Sequence, residues 1–179
     1  MSTTDEQLMK WYRDGDADAF DRLYARYRAP LYRYVLRQCA GCAEADELYQ
    51  DIWLRVVRAR RQWKEPQPFR PWLYRIAHNR IVDHWRASGA AHEDIDQLDT
   101  PDGSPLQEMI AHLRDCVARF KELLGHLPAV QRDAFLLKEE GGLSLAEIAE
   151  VTGTERETVK SRLRYALKRL RQGLEGCDD

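Results

Sequence analysis

The stretch SLAEIAEVTGTERETVKSRLRYALKRLR, residues 144–171, decides how the chain is read. Ser144 with Glu147 has the S-x-x-E form of a capping box, and Thr154 with Glu157 repeats it as T-x-x-E, so two helix starts are predicted. Val151-Thr152-Gly153 falls between them. A short helix, a glycine-containing turn and a longer helix make a helix-turn-helix. At about 100° per residue, Val159, Leu163, Ala166, Leu167 and Leu170 share one stripe of the long helix. Glu157, Ser161, Arg164 and Lys168 fall opposite, flanked by Thr158, Tyr165 and Arg171. A recognition helix needs this division, with an apolar side to seat it and polar side chains for the major groove. Arg and Lys suit phosphates and guanine edges, and Ser and Thr can reach either. Lys160 lies nearer the apolar stripe, which suits a phosphate contact better than a base contact.

Working outward, the reading stays helical. AVQRDAFLLKEEG (129–141) precedes the motif, and a helix is predicted from Leu106 to Leu124. Before it, residues 87–105 carry Glu93, Asp94, Asp96, Asp99 and Asp102, two Gly and two Pro, but no Lys or Arg. That composition reads as an acidic flexible linker. On its far side, Phe20, Leu23, Tyr27, Leu31, Tyr34 and Val35 recur at three-to-four spacing, and Leu48, Ile52, Val56 and Ala59 repeat the pattern. KEPQPFRP (64–71) interrupts, and Pro71 suits the first turn of a third helix, WLYRIAHNRIVDHWR (72–86). The expected fold is all-α: two small helical domains, residues 1–87 and 106–175, joined by the linker 88–105.

Composition narrows the function. The chain has 179 residues and a net charge of −2, with 44% hydrophobic and 32% charged residues. A protein that lives on bare nucleic acid is usually more basic, so DNA contact should be local or depend on a partner. No apolar run approaches the ~18–20 residues of a membrane span, and the polar N-terminus lacks a signal-peptide core. A cytoplasmic protein without membrane insertion is expected. Four cysteines (Cys39, Cys42, Cys116, Cys177) are too few and scattered for a disulfide scaffold. Cys39 and Cys42 have C-x-x-C spacing, which leaves a redox pair open, but no second ligand pair completes a zinc site. His78 and His84, six apart, share no helical face. No phosphate-binding, nucleophile-elbow or zinc-protease motif is present, so no metal, no cofactor and no enzymatic activity are expected.

Four segments in order across one acidic linker now resemble a known family: DADAFDRLYARYRAPLYRYV, AEADELYQDIWLRVVR, PFRPWLYRIAHNRIVDHWR, and LPAVQRDAFLLKEEGGLSLAEIAEVTGTERETVKSRLRYALKRLR. Together they resemble the extracytoplasmic-function (ECF) sigma factors, the two-domain form of the sigma-70 family of bacterial RNA polymerase. The resemblance implies a sigma-2 domain that binds core polymerase and opens the minus-ten element. It implies a sigma-4 domain whose helix-turn-helix reads the minus-thirty-five element. Partners implied are core polymerase, through its β′ clamp coiled coil and β flap, promoter DNA, and an anti-sigma factor. The alternative is a stand-alone helix-turn-helix regulator, which would normally dimerise on a palindrome.

Residue roles follow from the same resemblance. Asp46, Glu47, Gln50 and Asp51, with Tyr49 or Trp53 exposed beside them, would face the clamp; a mixed polar and aromatic surface suits a protein interface. Family members flip a non-template base into a pocket formed by the third helix and the loop before it, and stacking offsets the unstacking cost. Trp63, Phe69 and Trp72 are the aromatic candidates, although Trp72 and Trp85 suit a core equally. Asn79 matches the pocket position; Asp83 shares its stripe with Trp72 and Ile76; Arg75, Arg80 and Arg86 suit phosphates. In the last helix Lys160, Ser161, Arg164 and Tyr165 align with groove-facing positions, joined by Thr158 and Lys168.

Overall fold

The computed structural model describes residues 3–39, 42–88 and 105–177, and every regular element among them is helical. The first group is α1 (Asp5–Arg13), α2 (Ala17–Leu36), α3 (Cys42–Ala59), a 3₁₀ turn (Arg60–Gln62) and α4 (Phe69–Ser88). The second is α5 (Pro105–Gly125), α6 (Ala129–Glu139), α7 (Leu145–Thr152) and α8 (Arg156–Gly173). The acidic linker expected at 88–105 falls almost wholly outside the described residues.

Helix α1 is the element the periodicity reading did not anticipate. Its nine residues start at a capping box: Gln7 N donates to Thr4 Oγ1 at 3.2 Å and Thr4 N donates to Gln7 Oε1 at 3.1 Å. It buries Leu8, Met9 and Tyr12. From its first turn, Glu6 Oε1 accepts the N–H of Phe69 at 3.2 Å, so α1 satisfies one of the orphan donors at the start of α4. Asp5 accepts from Tyr27 and from Arg26, which ties α1 to α2. The apolar stripes read from the sequence form the core, with Leu23, Tyr27, Leu31, Tyr34 and Val35 of α2 and Leu48, Ile52 and Val56 of α3 buried, and α4 adds Leu73, Ala77 and Ile81.

In the second group, Ser144 caps α7 as predicted, with Ser144 N donating to Glu147 Oε2 at 2.8 Å and Glu147 N to Ser144 Oγ at 3.3 Å. Gly153 ends α7 at φ 64°, a left-handed cap that glycine adopts without a Cβ penalty. The second predicted box does not form. Thr154 Oγ1 instead lies 2.9 Å from Thr152 Oγ1, and α8 starts after Glu155 with no side-chain cap. The threonine hydroxyl is drawn back into the turn, where Thr152 Oγ1 also donates to Ile148 O at 2.8 Å.

The cysteines form no scaffold, but two of them pair, which the sequence reading did not anticipate. Cys116 of α5 and Cys177, just past α8, form a disulfide with Cα atoms 5.8 Å apart. The bond spans 61 positions, and closing a loop of that length removes about 4 kcal/mol of chain entropy from the unfolded state. Reduction is therefore expected to lower the melting temperature of the second helical group by several degrees, read by calorimetry with and without dithiothreitol. Identical melting curves would show that the bond contributes nothing. Cys39 is buried, and burial first, then the neighbouring Glu44 carboxylate, pushes its thiol up to about 12, so it stays protonated at neutral pH.

Candidate nucleic-acid interface

Helix α8 presents the divided surface its sequence requires. Val159, Leu163, Ala166 and Leu170 are buried. Thr158, Lys160, Arg164, Tyr165 and Lys168 are exposed and Ser161 is partly so. The Arg164 guanidinium carbon stacks 5.2 Å from the centre of the Tyr165 ring, which narrows the geometries the arginine samples. Lys160 Nζ sits 3.6 Å from Glu157 Oε2, but both side chains are largely in solvent and that pair is weak. Leu167, on the predicted apolar stripe, is instead 38% exposed. With Leu145 and Leu163 it floors a groove of about 500 Å³ rimmed by Lys160, Arg164 and Arg171. A basic rim suits phosphates, and an apolar floor suits sugars or thymine methyls.

Helix α4 is more fully engaged than the sequence suggested. The aromatic candidates belong to the core: Trp63 and Phe69 are fully buried and Trp72 is 8% exposed. Phe69 packs against Tyr27 at 5.3 Å and against Trp72 at 5.9 Å between ring centres. None of these rings has a free face for a base in this arrangement, because the loop folds back and its aromatics fill the space between helices. Of the four remaining candidates with charge, Arg80 is held in a close ion pair, and Arg75 and Asp83 stand in longer, largely exposed ones. Arg80 Nε donates to Asp51 Oδ2 at 2.5 Å, and Arg75 lies 3.8 Å from Glu150 of α7. Asn79, Asp83 and Arg86 are exposed, although Asp83 lies 3.7 Å from Arg55. By helical phase these three form one polar row opposite Leu73, Ala77 and Ile81.

The outer face of α3 also differs from expectation. Trp53 is buried in an aromatic cluster, 4.9 Å from Tyr24 and 5.7 Å from Phe20 between ring centres, and Tyr49 is half-buried beside it. Asp51 is a bridge between helices rather than a free acid. Burial alone would raise it, but the hydrogen bond from Arg80 and the charge of Arg55 hold its carboxyl below the usual range. Asp46, Glu47 and Gln50 are exposed, with Asp46 accepting from Tyr32 at 2.9 Å. The apolar members of this row are Leu54, 52% exposed, and Val57, 36% exposed. The sequence reading missed both, yet Leu54 is four and Val57 seven positions beyond Gln50, the spacing of one helix face. A second exposed apolar row, Met109, Ile110, Leu113 and Val117, runs along α5. Among the described residues no helix is long and apolar enough to cross a membrane, and no group of His, Cys, Asp and Glu is placed to hold a metal ion.

Comparison with known proteins bears on these surfaces. The profile of Sigma-70 region 2 matches residues 23–91, and that of Sigma-70, region 4 matches residues 118–170. The ECF RNA polymerase sigma factor SigK of Mycobacterium sp. (strain KMS) is 31% identical over 98% of this chain and 91% of its own. The ECF RNA polymerase sigma factor SigL of Mycobacterium tuberculosis (strain ATCC 25618 / H37Rv) is 33% identical over 86% of this chain and 87% of its own. In fold, the chain resembles CnrH, solved in complex with the cytosolic domain of CnrY, with a TM-score of 0.72 at 24% identity over 98% of this chain and 99% of that one. It also resembles the sigma factor RpoE of Bartonella quintana, solved with the anti-sigma factor NepR, with a TM-score of 0.70 at 23% identity over 87% of this chain and 96% of that one.

Proposed function

Because the chain belongs to the sigma-70 family, in its ECF group, and is a sigma factor that directs RNA polymerase to promoters, we propose that its exposed helix faces divide that work between them. The observation that carries the division is the pair of solvent-facing polar rows on α8 and α4, one in each helical group, each backed by a buried apolar stripe. The two groups are the sigma-2 domain, residues 1–87, and the sigma-4 domain, residues 106–175. Helix α8 enters the major groove at the minus-thirty-five element. Arg164 and Lys168 contact guanine edges or phosphates, Ser161, Thr158 and Tyr165 flank them, and Lys160 holds the backbone. Helix α4 meets the minus-ten strand, with Asn79 at the flipped base and Arg86 on its phosphate. The row of Asp46, Glu47, Gln50, Leu54 and Val57 on α3 seats the β′ clamp, and the apolar row on α5 offers a seat to the β flap. An anti-sigma protein is expected as the third partner, as the complexes formed by CnrH and RpoE suggest by analogy. The chain carries out no chemistry of its own.

The test is run-off transcription with core polymerase, start-site mapping, and gel shifts with and without the polymerase. Specific promoter binding is expected only in its presence. Tight sequence-specific binding by the protein alone would overturn this reading in favour of a free-standing regulator. In the same assay Arg164→Ala is expected to weaken binding to the minus-thirty-five element about 10-fold to 100-fold, the value of 1–3 kcal/mol for a good base contact. Polymerase affinity should stay unchanged in that variant. A matching loss of polymerase affinity with normal helicity would contradict the role given to Arg164.

A further inference from the structure

Helices α3 and α4 are joined by charge as well as by apolar packing. Asp51 of α3 takes two guanidinium groups on one oxygen. Arg80 Nε of α4 donates to Asp51 Oδ2 at 2.5 Å, and Arg55 Nε, one turn along α3, donates to the same atom at 3.2 Å. Arg55 in turn reaches back to α4, with Nη1 3.7 Å from Asp83 Oδ2. Residues 51 and 55 stand one turn apart on α3, and 80 and 83 one turn apart on α4, so the four charges close a ring across the two helices. His84 Nε2 lies 3.0 Å from Glu44 Oε1 and ties the same two helices again. The strong side of the ring is Asp51–Arg80, because the Arg80 side chain is 18% exposed; Arg55–Asp83 is longer and wetter.

These contacts add what the apolar ones lack. Leu73, Ala77 and Ile81 hold α4 on the core by burial, which is non-directional and specifies register weakly. A charge-assisted hydrogen bond at 2.5 Å fixes both distance and direction. Arg80 is the residue next to Asn79, a rise of about 1.5 Å along the helix. Whatever holds Arg80 therefore sets where Asn79 stands. The family resemblance would put Asp51 on the clamp beside Gln50, but its carboxylate is drawn across to α4 instead.

We propose that Asp51 is a positioning residue for promoter opening: by holding Arg80 it sets the register of α4 on α3, and with it the point at which Asn79 meets the flipped base. Asp51 itself touches neither DNA nor polymerase. The proposal rests on the reading of α4 as the helix that meets the minus-ten strand. A misplacement of about 1 Å can cost about 100-fold in a step that depends on placement. Loss of this contact should therefore appear as slower opening and not as weaker assembly.

The experiment uses the full chain assembled with core polymerase on a promoter mapped by run-off transcription. Asp51→Asn, Arg80→Gln and the double variant are compared with the unmodified chain. Polymerase affinity, closed-complex formation and permanganate reactivity of the minus-ten thymines are measured for each. Each single variant is expected to slow opening by about 10-fold, within the range for charges that share one network. Polymerase affinity and the closed complex should be unchanged. The double variant should be no worse than either single one, because both remove the same bond. Losses that multiply in the double variant would show that the two residues act separately, and would overturn the proposal. Normal opening in Asp51→Asn would also overturn it, and so would a loss of polymerase affinity, which would return Asp51 to the clamp surface. Asp51→Glu keeps the charged acceptor and should recover most of the opening lost in Asp51→Asn. Failure to recover it would assign the loss to packing and not to the bond. Normal opening in Asn79→Ala would sink the base-pocket reading of α4, while the bond between Asp51 and Arg80 would still be judged by its own variants.

Discussion

Trp63→Ala is expected to destabilise the sigma-2 helices by about 3–5 kcal/mol, the usual cost of truncating a buried aromatic. For a chain of this size that lowers the melting temperature by roughly 10 °C. Trp63 is fully buried and is among the largest side chains enclosed by the fold. It follows the 3₁₀ turn directly, where the backbone becomes extended at ψ 132° and swings the ring inward. Its indole nitrogen is buried without a partner, so nothing polar holds it and the ring contributes by packing alone. Trp63→Phe removes that orphan donor and keeps most of the volume, and it should cost far less than Trp63→Ala. The measurement separates two roles. A residue that stacks on a flipped base would lose promoter opening and keep its melting temperature; a core residue loses its melting temperature first. Thermal unfolding of Trp63→Ala at the unmodified temperature would return the ring to the promoter interface.

Leu54→Asp should do the opposite, leaving the fold intact and weakening assembly. Leu54 is half in solvent, and exposed substitutions usually change stability by no more than about 0.5 kcal/mol. It stands midway along the row that also carries Gln50 and Val57, and a desolvated anchor in such a position is worth 2 kcal/mol or more. The expected result is a weakening of polymerase binding by about 30-fold or more, with unchanged helicity. Anisotropy of a labelled protein titrated with core polymerase would report it. Full affinity in the variant would move the clamp-facing surface elsewhere on the molecule.

The two variants mark where local pattern stops being informative. Helical periodicity located the stripes of α2, α3 and α8, because one buried face leaves a spacing that any short window reveals. The helix-turn-helix was legible for the same reason, helped by Ser144 and Glu147. Whether a large aromatic in a loop points inward is a tertiary question. Trp63 and Phe69 look like stacking platforms in a string of letters and are enclosed once the prolines turn the chain. Asp51 and Arg80, 29 positions apart, each looked like a free charge and are in fact each other's partner. Asp133 bonds to Tyr34, Gln38 and His78, which lie 99, 95 and 55 positions away, and the disulfide joins residues 61 apart, beyond any helical wheel. Helix α1 was the exception, a local element whose Thr4–Gln7 box was visible but whose single turn of apolar residues was too short to stand out.

The contact between Glu6 and Phe69 has a genetic corollary. A second methionine stands at position 9. A polypeptide initiated there would lack Thr4, Asp5 and Glu6, and with them the helix start, the tie to Tyr27 and the acceptor for Phe69 N. Sixty residues downstream, α4 would begin with one more unmet donor and less to hold its first turn. A chain shortened to Met9 is thus expected to carry a loosened first turn in α4, the helix proposed to meet the minus-ten strand.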